Sequence, residues 1–192
     1  NIFSGDKGFL KGSADMYGID GRELYKFDLE LPDKGFFVFK GPNGSGKSTF
    51  FKLLSQMMDP TLLRDSDLKI NRKYRNDIGV LFYPLFVFSG TVEENINFGK
   101  KIDDNLIDLF NLPDLQKQVV PDPINLSSGE TQKIALLRLL GQEKDVYLLD
   151  EPTSNLEKEA VLALKDYIQR IKEDKLVIAI MHDDRYDSIA DG

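Results

Sequence analysis

Residues 41–49 read GPNGSGKST, which places Gly41, Gly46, Lys47 and Ser48 at the spacing of a phosphate cradle, with Pro42, Asn43, Gly44 and Ser45 inside the loop and Thr49 after it. Glycines let the backbone curl so that successive N–H groups point inward at phosphate oxygens, and a helix starting there adds the positive end of its dipole. Lys47 would then reach the terminal phosphates and Ser48 would ligate Mg²⁺. Asp150 and Glu151 close the apolar run 146–149. Neighbouring carboxylates at a strand end point in different directions, so Asp150 suits the shell of the cation and Glu151 is placed to polarise an attacking water. His182 is the only histidine and directly follows the apolar run 176–181, where a neutral imidazole could donate to a terminal phosphate. The stretch LSSGE, residues 126–130, precedes a helical pattern, and its serines and glycine leave a hydroxyl and N–H groups free to meet an anion.

Each of these has a plainer reading: a glycine-rich turn, a solvated strand end, an ordinary helix cap and a structural histidine. The order of elements weighs against all four being plain. Residues 36–39 (FFVF) have the aromatic, β-branched character of a short buried strand, and 49–54 have helical spacing, giving strand, loop, helix around the glycines. Further apolar runs at 78–82, 146–149 and 176–181 read as buried parallel strands separated by helical segments, an α/β pattern with right-handed crossovers. Ahead of them, 17–31 alternates from Leu24 onward after a turn at 18–21, which predicts an antiparallel N-terminal sheet. Between the second and third parallel strands, Thr91-Val92-Glu93-Glu94 is a capping box and Gly99 a helix stop, while Ile102, Leu106, Leu109 and Phe110 share one face. This segment, 84–127, is expected to be an inserted helical subdomain within one domain spanning 1–192.

Composition narrows the function classes. The chain has 192 residues, 41% hydrophobic and 30% charged, which suits a globular domain with its own core. There is no cysteine, hence no disulfide framework, thiolate metal site or cysteine nucleophile. A net charge of −7 argues against the broad basic surface of a nucleic-acid binder. The longest apolar run, 80–88, contains Pro84 and falls well short of the ~20 residues that span a bilayer. The chain starts at Asn1 rather than Met, which reads as a piece trimmed from something larger.

Taken together, GPNGSGKST (41–49), LSSGE (126–130), VYLLDEPTSNLE (146–157) and a post-strand His182 occur in the order seen in the ATP-binding domain of ABC transporters, and the chain resembles that family over essentially its whole length. The segment 88–96, FSGTVEENI, is similar to the exporter branch. The resemblance implies a P-loop NTPase core with a mostly parallel sheet, an N-terminal antiparallel β subdomain and an inserted helical subdomain. It implies ATP and Mg²⁺ as ligands, the cation on Ser48 and Asp150, with Glu151 and His182 catalytic. Tyr17 sits where the family has an aromatic that stacks on adenine. Ser127, Ser128, Gly129 and Glu130 match the signature loop that touches the γ-phosphate held by a second domain, and Ser154, Asn155, Leu156 and Glu157 match the D-loop. The implied partners are a transmembrane domain and a second ABC domain in an ATP-dependent head-to-tail dimer, at the cytoplasmic face of the cell membrane.

Departures are visible too. Ser128 and Glu130 replace the usual glycine and glutamine of the signature, and Asn155 and Glu157 are unusual in the D-loop. After the strand at 78–82 the family places a glutamine that contacts Mg²⁺ or the attacking water, whereas this chain has Tyr83, and no glutamine lies between Gln56 and Gln116. A phenol cannot copy both contacts of an amide, so slow hydrolysis by the isolated domain is expected. Two other readings stand beside an ATP-driven transport motor. One is a degenerate domain holding ATP as a regulatory or structural ligand. The other is a soluble, non-transport ABC ATPase, although residues 83–126 lack the sustained heptads of a coiled-coil insertion.

Overall fold

A computed structural model describes residues 2–112 and 114–192, so Asn1 lies outside the described residues. In chain order the strands and helices are β1 (Phe3–Gly5), β2 (Leu10–Tyr17), β3 (Glu23–Leu31), β4 (Gly35–Phe39), α1 (Lys47–Leu54), β5 (Leu63–Arg64), β6 (Lys69–Asn71) and β7 (Ile78–Leu81). They continue with β8 (Gly90–Thr91), α2 (Val92–Asn97), α3 (Asp104–Ile107), β9 (Gln118–Val119), α4 (Ser128–Leu140), β10 (Val146–Asp150), α5 (Lys158–Ile171) and β11 (Leu176–Ile180).

All four apolar runs form one parallel sheet in the order β4-β11-β10-β7. Every residue of β10 and β11 is buried, as a sheet covered on both faces requires. The strand period divides their side chains between two cores. Val146, Leu148, Leu176, Ile178 and Ile180 pack with α1 and the N-terminal sheet, whereas Tyr147, Leu149, Val177 and Ala179 pack with α4, α5 and the insertion. Each fully buried Leu or Ile here contributes about 1.5–3 kcal/mol.

The N-terminal sheet runs β1-β6-β2-β3, with β5 also paired to β2. Its long pair, β2 with β3, is antiparallel as expected, but β1 pairs β6 in parallel, so the sheet is mixed. In the insertion the capping box at Thr91 is formed: its hydroxyl accepts from the Glu94 N–H at 3.0 Å and the Glu94 carboxylate accepts from the Thr91 N–H at 2.6 Å. The helix ends one residue before the expected stop, with Phe98 already left-handed at φ 41°. Helix is sparse from there to Ser127, and β8 pairs β9 to close the segment. Prolines at 121 and 123 limit helix there by removing backbone donors.

One buried cation ties the insertion to α4. Arg138 Nε donates to the Asn95 carbonyl at 2.7 Å and its Nη1 to the Phe86 carbonyl at 3.0 Å. Its guanidinium lies 4.5, 5.8 and 5.7 Å from the ring centres of Phe86, Phe88 and Phe98.

Candidate functional site

The glycine loop joins β4 to α1 and has the backbone its sequence demands. Gly46 caps the helix at φ 91°, with no side-chain cap and no acidic residue in the first turn. A Cβ at Gly46 would stand 2.7 Å from Leu24 Cδ1, so both conformation and space require glycine. The first N–H groups of α1 therefore have no competing anion of the chain's own. Lys47 folds back over the loop, its Nζ donating to the carbonyls of Gly41 at 2.8 Å and Pro42 at 2.9 Å.

Facing this loop is the carboxyl end of the parallel sheet. Gly44, Gly46, Lys47, Ser48, Asp150 and Glu151 all line one cleft of about 530 Å³. Asp150 is buried at the end of β10. Glu151 follows in the left-handed region at φ 48°, a conformation that costs a glutamate on the order of 1 kcal/mol, and its N–H is held by the Ile180 carbonyl at 2.8 Å. Its carboxylate lies 3.6 Å from His182 Nε2. Burial pushes the Glu151 pKa up, with Asp150 adding to the rise and His182 and Lys47 opposing it. A carboxylate raised toward neutrality is a better proton acceptor than an ordinary one, and this one faces the cradle. A hollow of about 600 Å³ on the other side of the loop is walled by Tyr25, Phe27, Phe37 and Phe39, too apolar to hold a phosphate chain.

The donors fit a metal that arrives with its phosphates. Ser48 and Asp150 offer one hydroxyl and one carboxylate in the same cleft, while no group of three acidic, histidine or cysteine side chains among the described residues could hold a cation alone.

Two of the expected site residues have partners within the chain. Tyr17 is not among the residues that line the cleft; the guanidinium of Arg64, on the neighbouring strand β5, lies 4.2 Å from its ring centre. Turn residues Gly18, Ile19 and Asp20 reach the cleft instead, and Ile19 is 84% exposed. Arg64 pairs with Asp15, so Tyr17, two residues further along β2, shares its face of the sheet, and the turn begins only after it. Secondly, the helix start at Ser127 is capped within the chain. Its hydroxyl accepts from the Glu130 N–H at 3.0 Å while the Glu130 carboxylate accepts from the Ser127 N–H at 2.8 Å. This is a complete capping box, and Ser127 and Ser128 are exposed and are not among the residues lining the chain's own cleft.

The loop after Glu151 rests on α4. A Cβ on Gly129 would stand 2.8 Å from the Asn155 carbonyl, buried Gln132 donates from Nε2 to the Pro152 carbonyl at 2.9 Å, and Lys133 pairs with Glu157. Ser154 closes the turn with its N–H on the Glu151 carbonyl at 3.1 Å, and Leu156 packs against the core. Tyr83 does not reach the cleft lining; its hydroxyl donates to Gln132 Oε1. Gln132, Lys133 and Arg138 escaped the sequence reading. Their one signal is that polar residues interrupt a helix otherwise apolar on every side, where a buried polar group must find a partner.

Comparison with known proteins agrees with this geometry. The model of the family described as ABC transporter matches residues 24–154. ABC transporter I family member 17 of Arabidopsis thaliana is 32% identical over 177 residues, covering 84% of this chain and 67% of that protein. Phosphate import ATP-binding protein PstB 3 of Streptococcus pneumoniae is 27% identical over 194 residues, covering 88% of this chain and 78% of that one. In fold, the chain is similar to a bacterial Atm1-family ABC exporter with ATP bound, at a TM-score of 0.77 and 20% identity, over 100% of this chain and 37% of the exporter's. A cradle opposed by Asp150 and Glu151, in a chain two-thirds matched by the family model, leads to one assignment: this chain belongs to the ABC transporter family as an ATP-binding domain, an ATPase of ATP-driven transport.

Proposed function

We propose that the cleft between Gly41–Thr49 and the Asp150–Glu151 strand end binds Mg-ATP, that Glu151 takes the proton of the attacking water, and that His182 contacts the γ-phosphate. The observation that carries this is the convergence on one cleft of uncapped helix N–H groups, Lys47, Ser48, Asp150 and a carboxylate with a raised pKa. Bound there, the cation would neutralise phosphate charge, with Ser48 and Asp150 as its protein ligands. Lys47 would exchange the loop carbonyls for phosphate oxygens, a gain in charge-assisted bonding. His182, 3.6 Å from Glu151, would orient that carboxylate as well as donate to phosphate.

Two assemblies complete the reading. Ser127 and Ser128 are exposed and take no part in lining their own cleft, which supports a head-to-tail dimer in which the signature loop of one copy closes the cleft of the other. A groove between the insertion and the core exposes Met57, Tyr83, Phe86 and Phe98, an apolar surface suited to a transmembrane partner's cytoplasmic segment. The domain would accordingly work at the cytoplasmic face of the cell membrane; no helix of the described residues is long and apolar enough to cross it.

The test is Glu151→Gln. Steady-state phosphate release is expected to fall about 10²–10⁴-fold with Mg-ATP binding retained, and light scattering is expected to show an ATP-dependent dimer. Hydrolysis at the native rate would remove Glu151 as the base.

A further inference from the structure

Tyr83 stands just beyond β7, at the family's glutamine position, yet its hydroxyl is engaged by the chain itself and Tyr83 is not among the residues lining the cleft. It donates to Gln132 Oε1, and the side chains of Ser154 and Asn155 are within its hydrogen-bonding reach as well. Gln132 is fully buried and its amide is committed on the other side, Nε2 to the Pro152 carbonyl at 2.9 Å. Pro152 follows Glu151 directly, and Glu151 occupies a left-handed backbone conformation that a glutamate does not adopt unless neighbours enforce it. The Ile180 carbonyl holds the Glu151 N–H from one side. From the other side the restraint passes through Pro152 and Gln132.

A primary amide has one acceptor and two donors, and its orientation is fixed only when both ends are engaged. The phenol supplies the donor that sets Gln132 with its oxygen toward Tyr83 and its NH₂ toward Pro152. A burial-raised pKa keeps that hydroxyl protonated and donating across the physiological range. Remove the hydroxyl, and a buried acceptor loses its partner, with the amide free to turn.

We propose that Tyr83 is a positioning residue for hydrolysis: through Gln132 it fixes the Pro152–Asn155 turn and thereby the placement of Glu151. It does not touch nucleotide, and so takes a different part from the glutamine it replaces. The proposal rests on Glu151 being the base.

Tyr83→Phe isolates the hydroxyl, since the ring and its packing remain. In the purified protein it is expected to lower kcat about fivefold, leave the KM for Mg-ATP within twofold, and speed amide hydrogen exchange at Ser154, whose N–H bonds the Glu151 carbonyl. Gln132→Met should do the same, and the double variant should be no worse than either single one, because both cut one connection. Additive effects, or native exchange at Ser154 in Tyr83→Phe, would overturn the proposal whatever the ATPase rate. If Glu151→Gln were silent in hydrolysis while Tyr83→Phe loosened Ser154, the assignment of the base would fail and the positioning of the turn would stand.

Discussion

Two helices in this chain begin with small polar residues, and they begin in opposite ways. α1 opens on Gly46, left-handed and without a side-chain cap, so its first amides are uncommitted. α4 opens on Ser127, where hydroxyl, N–H and the Glu130 carboxylate satisfy each other. The two N-termini carry the same dipole. Only the first is left without a side-chain cap in its own chain; the second is stabilised as it stands by its own capping box. The difference shows that a helix N-terminus becomes a binding site by what is withheld from it.

The largest effect that tests this contrast is on nucleotide affinity. Lys47→Ala is expected to weaken Mg-ATP binding about 100-fold, since charge-assisted bonds to phosphate are lost. Ser127→Arg should leave affinity within about twofold in the isolated copy while preventing ATP-dependent association. Equal losses in titrations of the two variants would erase the distinction between an open and a closed start.

A smaller effect is on stability. Glu130→Ala removes half of the capping box and is expected to cost about 1 kcal/mol, seen as a fall in Tm of about 2–4 °C. The Ser127 N–H, and then Lys117, hold the Glu130 carboxyl below the usual carboxylate range. Its contribution is therefore present above the unfolded-state value and lost as pH falls through the lowered folded one. The difference in Tm between native protein and Glu130→Ala should shrink under acid; a constant gap from neutral pH to below pH 3 would show that the cap is not ionic.

The smallest effect concerns the base end of the open cleft. With Tyr17 covered by Arg64, Tyr17→Ala should change ATP affinity less than about twofold. Ile19→Tyr puts a ring on the exposed turn and should raise affinity about threefold. The reverse order in calorimetry would return Tyr17 to the site.

What could be read from the sequence follows from how local each signal is. The four parallel strands were legible because two-sided burial leaves unbroken apolar runs such as LVIAI in β11. The cradle was legible because its backbone conformation is written in glycines. β2, with the segment KGSAD at its centre, has too little alternation to announce itself, and Tyr17 was assigned to the cleft without knowing which side of that strand it faced. The capping box at Ser127 used the same Ser/Thr-x-x-Glu signal recognised at Thr91, but serine and glycine beside it also suit an anion site, and the local pattern does not separate the two. Gln132 is different in kind. Its partners, Tyr83 and Pro152, lie far away in sequence, and only the folded chain brings them together.

Arg138 carries a mechanical consequence. Phe86 and Phe88 lie in the irregular loop before β8 and Phe98 caps the end of α2, in a segment with little regular helix. Because one guanidinium lies against all three rings and also holds the Phe86 and Asn95 carbonyls, the three rings share one anchor, a side chain rooted in the last turn of α4. The groove wall is thus fastened at a single point inside the domain, so loss of that one side chain would release all three rings from α4 together.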